Sequence, residues 1–511
     1  MLRNSPLCPS YFVRSIALWA RLWDEFFRRP LRRAGMTAGR SEAGRWAEAE
    51  FGDAALGDTR RTMRLVRMAA RAAENPSGKL SAVFSTSKEL DGAYDFVESE
   101  KLSVALLETA VGRSAARRCV GQGRVRVAVD GSSLTLTEGP KDKGFGPIGC
   151  IAAGWQGLKV ISALALGADG VPIGLLAQSW WARPEAPPRT LKQSKRDRMR
   201  KKPHEKETGR WLETIERSAE RLAAAGALGW FQLDREADAW PLLFSLSRSG
   251  HWFTVRSAWD RLLADSGRDK QYLRARMAVV APLGSYELDV PARWGRQARR
   301  AHMVIYAAEQ TLLLREKMNG KRPRPLTVRV VWTHERGTTP AAEEPLDWML
   351  LTNAPIDSFE AARDVVVGYS MRWRIEEFHR TWKTGGCNVE LTQLRSRDAV
   401  IRWATILAVV AARIERLKRL GREQPDRPAT DELSAVEVQV LVVLKRRQKK
   451  RTESVPDGVP TIAQATRWIA DLGGFTGKSS GGPPGSITIG RGLERLRHGV
   501  EAVLAMRNAE K

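Results

Sequence analysis

Four residues with the chemistry to work on a phosphate backbone fall within one stretch, YSMRWRIEEFHRTWK, from Tyr369 to Lys383. They are the phenol of Tyr369, the guanidinium of Arg372, the carboxylate of Glu376 and the ammonium of Lys383. A carboxylate can hold a divalent metal, and the cations and the phenol can grip phosphate. The stretch lacks proline and glycine and mixes helix formers with large apolar residues, which predicts a helix. At roughly 100° of turn per residue the four share an arc of about 60°. Met371, Ile375, Phe378 and Trp382 cluster on the other side as an apolar seam to bury. Taken alone, such a charged face is more often a solvated surface with local ion pairs.

Two aspartates elsewhere sit where strands are expected to end. RVRVAVD at 124–130 alternates, with Val125, Val127 and Val129 on one face and Arg126, Ala128 and Asp130 on the other, and runs into Gly131. LGWFQLD at 228–234 repeats the design, and READAWPLLFSLS after it reads as a helix with Asp234 at its start. Each aspartate also has an ordinary reading, as a turn former for Asp130 and as an N-cap for Asp234. Glu236 and Asp238 are nearby acids of lower rank.

The chain has 511 residues, with 84 Lys and Arg against 58 Asp and Glu, a formal net charge of +26. That excess points to a polyanionic partner, with nucleic acid the default. No apolar run reaches the ~20 residues that span a bilayer, so no membrane partner is expected. A hydrophobic content of 43% excludes a wholly disordered basic protein. Cys8, Cys119, Cys150 and Cys387 form no C-x-x-C pair and share no ligand spacing with the histidines. A zinc site or disulfide framework is therefore not expected, and a reducing cytoplasm fits. Gly-Phe-Gly-Pro-Ile-Gly at 144–149 matches a phosphate-loop spacing but neither follows a strand nor opens a helix, and is read as a loop near the site.

The spacing Tyr369-x2-Arg372-x3-Glu376-x6-Lys383 resembles the signature of bacterial cut-and-paste transposases of the insertion-sequence-four family, the transposon-five-like DDE enzymes. The resemblance implies that Glu376 is the last member of an Asp, Asp, Glu triad whose other members are Asp130 and Asp234. It implies that these three are catalytic and bind two Mg²⁺ ions, with Mn²⁺ able to substitute. Tyr369, Arg372 and Lys383 would bind phosphates, and Arg256 would touch DNA. Trp348 would stack on a base flipped from the duplex and Trp373 would sit beside the DNA end, the ordinary reading of both being core packing. LGDTRRTMRLV, SGKLS and GAYDFV, between residues 56 and 97, resemble the family's end-binding domain and place Arg60, Arg61 and Lys79 near DNA.

The expected fold is α/β, an RNase H-like catalytic domain with a β-rich insertion, between a helical DNA-binding domain and a helical dimerisation domain. The expected limits are an extension over 1–35 that precedes an alternative start at Met36, end binding over 36–115, and the catalytic core over 120–258 and 346–420. The insertion falls over 259–345, and the C-terminal unit over 421–511, where IADLGGF resembles the dimerisation domain. The basic stretch at 183–206 and the run Lys445 to Arg451 are further candidate DNA contacts or solvated surface. The partners implied are the element's terminal inverted repeats, target DNA and a second copy of the chain, in a bacterial cytoplasm in association with the nucleoid. The implied mechanism is nicking at the element's end, hairpin formation on the opposite strand, hydrolytic reopening and strand transfer. Three other readings are a nuclease of the same fold that never joins, an inactive inhibitor of transposition, and a nucleoid-type basic protein.

Overall fold

The computed structural model describes residues 42–137, 143–149, 154–184, 193, 206–265, 269–290, 297–314, 323–340, 343–448, 454–477 and 482–509. The extension over 1–35, Met36, Cys8 and Cys150, and most of the basic stretch at 183–206 lie outside the described residues.

Five helices come first: α1 (Glu42–Phe51), α2 (Thr59–Glu74), α3 (Leu80–Val83), α4 (Ser87–Glu98) and α5 (Val104–Arg118). Asp58 caps α2 by accepting from the Arg60 amide, and Leu65, Met68 and Ala69 form its buried stripe, as the helical spacing predicts. Asn75 ends that helix.

A mixed sheet follows, built from β1 (Arg124–Thr135), β2 (Gly146–Pro147), β3 (Gln156–Leu166) and β4 (Pro172–Trp181), then β5 (Leu228–Leu233) and β6 (Trp252–Arg256). Helix α6 (Glu207–Ala224) crosses between β4 and β5, and α7 (Trp240–Arg248) between β5 and β6. β1, β3 and β4 form an antiparallel meander, while β5 joins β1, and β6 joins β5, in parallel. The order β4-β3-β1-β5-β6, three antiparallel strands and then two parallel ones, is the RNase H-like arrangement expected. The Gly-Phe-Gly-Pro-Ile-Gly stretch supplies the two-residue β2 on the edge of β3.

Helix α8 (Leu273–Ala278) precedes β7 (Pro282–Val290), β8 (Arg299–Leu314) and β9 (Arg324–Arg336), and β10 (Asp347–Thr352) returns to the core. The expected β-rich insertion is present, and it is continuous with the core: β10 pairs with β6, and β9, β8 and β7 extend the same sheet.

Helices α9 (Phe359–Ser370), α10 (Trp373–Arg380) and α11 (Arg397–Glu423) follow, then α12 (Ala435–Gln448), α13 (Ile462–Leu472) and α14 (Ser486–Ala509). α11 is buried along most of its length, as its nearly unbroken apolar sequence predicts. The C-terminal helices are not a separate packing unit: they share one hydrophobic core with α11 and the N-terminal helices. Three residues of the predicted linker at 421–432 are absorbed into α11, and others form a 3₁₀ turn at Ala429–Asp431. Among the described residues, no helix is long and apolar enough to cross a membrane.

Candidate active site

β1 does not end at Asp130. It runs on to Thr135, paired with β3 throughout, because Ser162 lies opposite Asp130 and the ladder continues through Gly157. What ends near Asp130 is the parallel ladder with β5, whose last pair is Val129 with Leu233. Asp130 and Asp234 therefore each follow a member of that pair, on strands roughly 4.8 Å apart. The valines of β1 face one core and Ala128 faces the other, so the alternation read from sequence holds. Asp234 opens a 3₁₀ turn at Arg235–Ala237 and accepts from the Glu236 amide at 2.8 Å. The predicted single helix after Asp234 is this turn followed by α7, whose second residue is Pro241.

The signature stretch is likewise divided. Tyr369 lies in the last turn of α9, the chain turns at Met371 and Arg372, α10 carries Glu376, and Lys383 lies in a π turn at Thr381–Gly385. The apolar seam is as predicted, with Ile375, Phe378 and Trp382 fully buried and Met371 partly so. The other side is not an open stripe, since Tyr369 is 4% exposed and Arg372 7%. Tyr369 is covered by Trp348, edge to face at 5.6 Å between centroids. That contact packs Tyr369 against β10, and between α9 and α10 Met371 and Arg372 keep helical angles, with the Arg372 amide donating to the Tyr369 carbonyl in a tighter turn.

Arg372 spans the acids. Its Nη1 donates to Asp130 Oδ2 at 2.9 Å and its Nη2 to Glu376 Oε1 at 2.7 Å. Asp130 Oδ1 accepts the Gly131 amide at 2.7 Å. Burial pushes the Asp130 carboxyl up to about 7, Arg372 and the Gly131 amide oppose the rise, and Asp234 and Glu376 add to it. The three acids named from sequence thus act on one another through space, although they lie far apart along the chain.

Among the described residues, no three acidic, histidine or cysteine side chains stand close enough together to hold one ion. The guanidinium of Arg372 lies between two of the acids and supplies the positive charge there. The donor chemistry nevertheless fits a hard divalent cation. Three carboxylates offer oxygen ligands, and burial, with smaller contributions from the charges of Asp234 and Glu376, raises the Asp130 carboxyl, a cost that a cation would relieve.

The other predicted residues are distributed around this centre. Lys383 Nζ lies 3.5 Å from Glu390, whose Oε1 also accepts the Thr135 amide at 2.8 Å. Trp373 is 45% exposed, with the Arg372 guanidinium over its ring at 5.5 Å. Trp348 is half-buried. Arg256 ends β6 and donates to the Asp347 carbonyl oxygen at 3.0 Å, which ties it to β10. Arg60 and Lys79 are exposed on the N-terminal helices, whereas Arg61 is half-buried and donates to the Leu56 carbonyl. Two residues of structural weight escaped the sequence reading. Glu390 anchors both Lys383 and β1 but carries no motif. Asp238, ranked a decoy, is a fully buried anchor for the loop after β6.

Among the described residues, Cys119 and Cys387 are free and buried. Burial pushes the Cys119 thiol up to about 12 and the Cys387 thiol higher still, so both act as packing groups.

Three family models match the chain: a transposase DNA-binding domain over residues 43–102, a transposase DDE domain over 173–412, and the transposase Tn5 dimerisation domain over 409–510. The DDE match contains Asp234 and Glu376 and begins beyond Asp130, so Asp130 joins the pair on geometry. A DNA-binding domain and a dimerisation domain make DNA and a second copy of the chain its partners. A DDE domain brings DNA cleavage and strand transfer, and a requirement for divalent metal. The order of the three matches along one chain, over the sheet topology and signature above, shows that this protein belongs to the DDE transposases of the Tn5 type.

Proposed function

We propose that the chain moves its own insertion sequence by cut-and-paste, with Asp130, Asp234 and Glu376 as the catalytic, metal-holding acids. What supports this reading is the position of two of the acids in the sheet and the guanidinium that links the third to the first. Two follow the last pair of one parallel ladder, and the third is joined to the first by a single guanidinium. When bound, two Mg²⁺ or Mn²⁺ ions would activate water and stabilise the leaving oxygen.

The chain's own residues do the rest. Asp130, whose carboxyl burial raises to about 7 in the absence of metal, becomes a better anionic ligand once a cation offsets that cost. Arg372 holds Asp130 and Glu376 in register and limits their mutual repulsion. Lys383, paired with Glu390 at 3.5 Å, is placed to give that pairing up for a phosphate of the DNA end. Trp348 and the half-exposed Trp373 would flank the end, the first stacking on a displaced base.

The reaction proceeds by hydrolysis at the element's end, which frees a 3′ hydroxyl. That hydroxyl attacks the opposite strand and expels the flanking DNA, closing a hairpin. Water opens the hairpin and restores the hydroxyl, which attacks target DNA. The bacterial cytoplasm, with its nucleoid, is the compartment this reading requires.

The test pairs a cleavage assay on uncut ends with a strand-transfer assay on precut ends, both taken from the inverted repeats that bracket the gene. Wild type should join ends to plasmid, whereas Asp130→Ala, Asp234→Ala and Glu376→Ala should bind ends but neither cut nor join. Cutting without joining by wild type would make the protein a nuclease. Retained cleavage in any variant would remove that acid from the triad.

A further inference from the structure

The loop after β6 is built to present an indole beside the acids. β5 and β6 are parallel, with Leu233 opposite Val255, so Asp234 leaves the sheet beside the segment Arg256-Ser257-Ala258-Trp259. Asp238 closes the 3₁₀ turn that Asp234 opens, and its side chain is fully buried. Its Oδ2 accepts the Ala258 amide at 2.8 Å and lies 3.3 Å from the Ser257 hydroxyl, and its Oδ1 pairs with Arg261. The Ser257 hydroxyl also stands 2.9 Å from the carbonyl oxygen of Trp259. One buried carboxylate therefore fixes both the turn that carries Asp234 and the turn that carries Trp259.

Trp259 itself is 62% exposed, more than any other aromatic side chain among the described residues. A single exposed apolar residue needs no explanation by its exposure. Here Asp238 holds the loop from inside, and the largest side chain of the loop is turned largely to water in the segment that follows the strand beside β5 and Asp234.

We propose that Trp259 is a base-stacking platform for DNA at the mouth of the active site. The proposal rests on the reading of that site as a DNA-processing centre. An indole face stacks on any base, so the contact is indifferent to sequence. The same chemistry serves the element's own end or the target strand, and the assay separates the two.

Wild type, Trp259→Ala and Trp259→Phe, all full-length, are titrated into fluorescein-labelled oligothymidine in chelator, where no cleavage occurs. Trp259→Ala should bind about ten-fold more weakly, and Trp259→Phe, which keeps a flat ring, should lie close to wild type. All three should melt alike, because the side chain is exposed. Weaker binding by Trp259→Ala to a precut end duplex would assign the platform to the element, and loss of plasmid capture alone would assign it to the target. Trp259→Ala within two-fold of wild type on oligothymidine, or Trp259→Phe as weak as Trp259→Ala, would overturn the proposal. The oligothymidine titration needs no catalysis, so it reads the platform even where wild type fails to join ends.

Discussion

Asp130→Asn should make the metal-free protein more stable while removing its activity. The Asp130 side chain is 15% exposed, and its carboxyl stands at about 7 against an ordinary 3.8. An acid whose folded value is raised binds more protons folded than unfolded between the two values. Its contribution to stability is therefore full below 3.8, falls as pH rises through that window, and stays lost above about 7. Roughly three units at about 1.4 kcal/mol each put the loss on the order of 4 kcal/mol at pH 8. At pH 5 only about one unit has been crossed, so the loss is on the order of 1.5 kcal/mol. Asparagine keeps an acceptor for Arg372 Nη1 and carries no charge to repel Asp234 or Glu376. Thermal unfolding in chelator should therefore place the variant several degrees above wild type at pH 8, with the gap narrowing at pH 5. Saturating Mg²⁺ should raise wild type more than the variant. A variant that melts at or below wild type at pH 8 in chelator would refute the claim that burial, with the neighbouring acids, makes the Asp130 charge costly in the folded protein.

Trp348→Ala should leave nicking of the element's end intact and lower the yield of hairpin, read on a denaturing gel with an end-labelled duplex; wild-type yields would return Trp348 to a packing role against Tyr369. Lys383→Ala should weaken end binding by about ten-fold and reduce the slope of log affinity against log salt by about one, as the loss of a single phosphate contact requires. An unchanged slope would mean that Lys383 keeps Glu390 rather than DNA. Glu415→Ala should be among the most destabilising single changes, about 3–5 kcal/mol by urea titration. Its side chain is 1% exposed and receives Lys418 Nζ, the Thr381 hydroxyl and the Ser486 hydroxyl; both hydroxyls lose this acceptor, and Lys418 is left with Glu377 as its carboxylate partner.

The legible parts of the site were those in which local pattern and final surroundings agree. The alternation of β1 survives because each of its faces meets a different core, and the signature seam survives because Ile375, Phe378 and Trp382 fill one of them. The tightening between Tyr369 and Glu376 was not legible, for neither glycine nor proline marks it and the residues there keep helical angles. Nor was the length of β1, since a strand that loses one neighbour at Asp130 and keeps the other cannot be recognised from its own residues. Asp238 and Glu390 were missed for a related reason: their importance lies in backbone amides, of Ala258 and Thr135, that carry no side-chain signal.

The three matched regions meet on α11. From the N-terminal side, Trp403 Nε1 donates to the carbonyls of Ser77 and Gly78, and Arg402 to that of Val97. From the side of the candidate site, Glu377, next to Glu376, is held by Lys418 and Arg419, which keep its carboxylate below the ordinary range despite burial. From the C-terminal side, Ser486 at the start of α14 donates to Glu415, which also accepts from Thr381 in the turn that carries Lys383. A displacement of the C-terminal helices must therefore break the hydrogen bonds that Ser486 makes with Glu415 and Lys418 or carry α11 with it. The regions that match a DNA-binding domain and a dimerisation domain thus both pack against the helix whose Lys418 and Arg419 brace Glu377 beside Glu376.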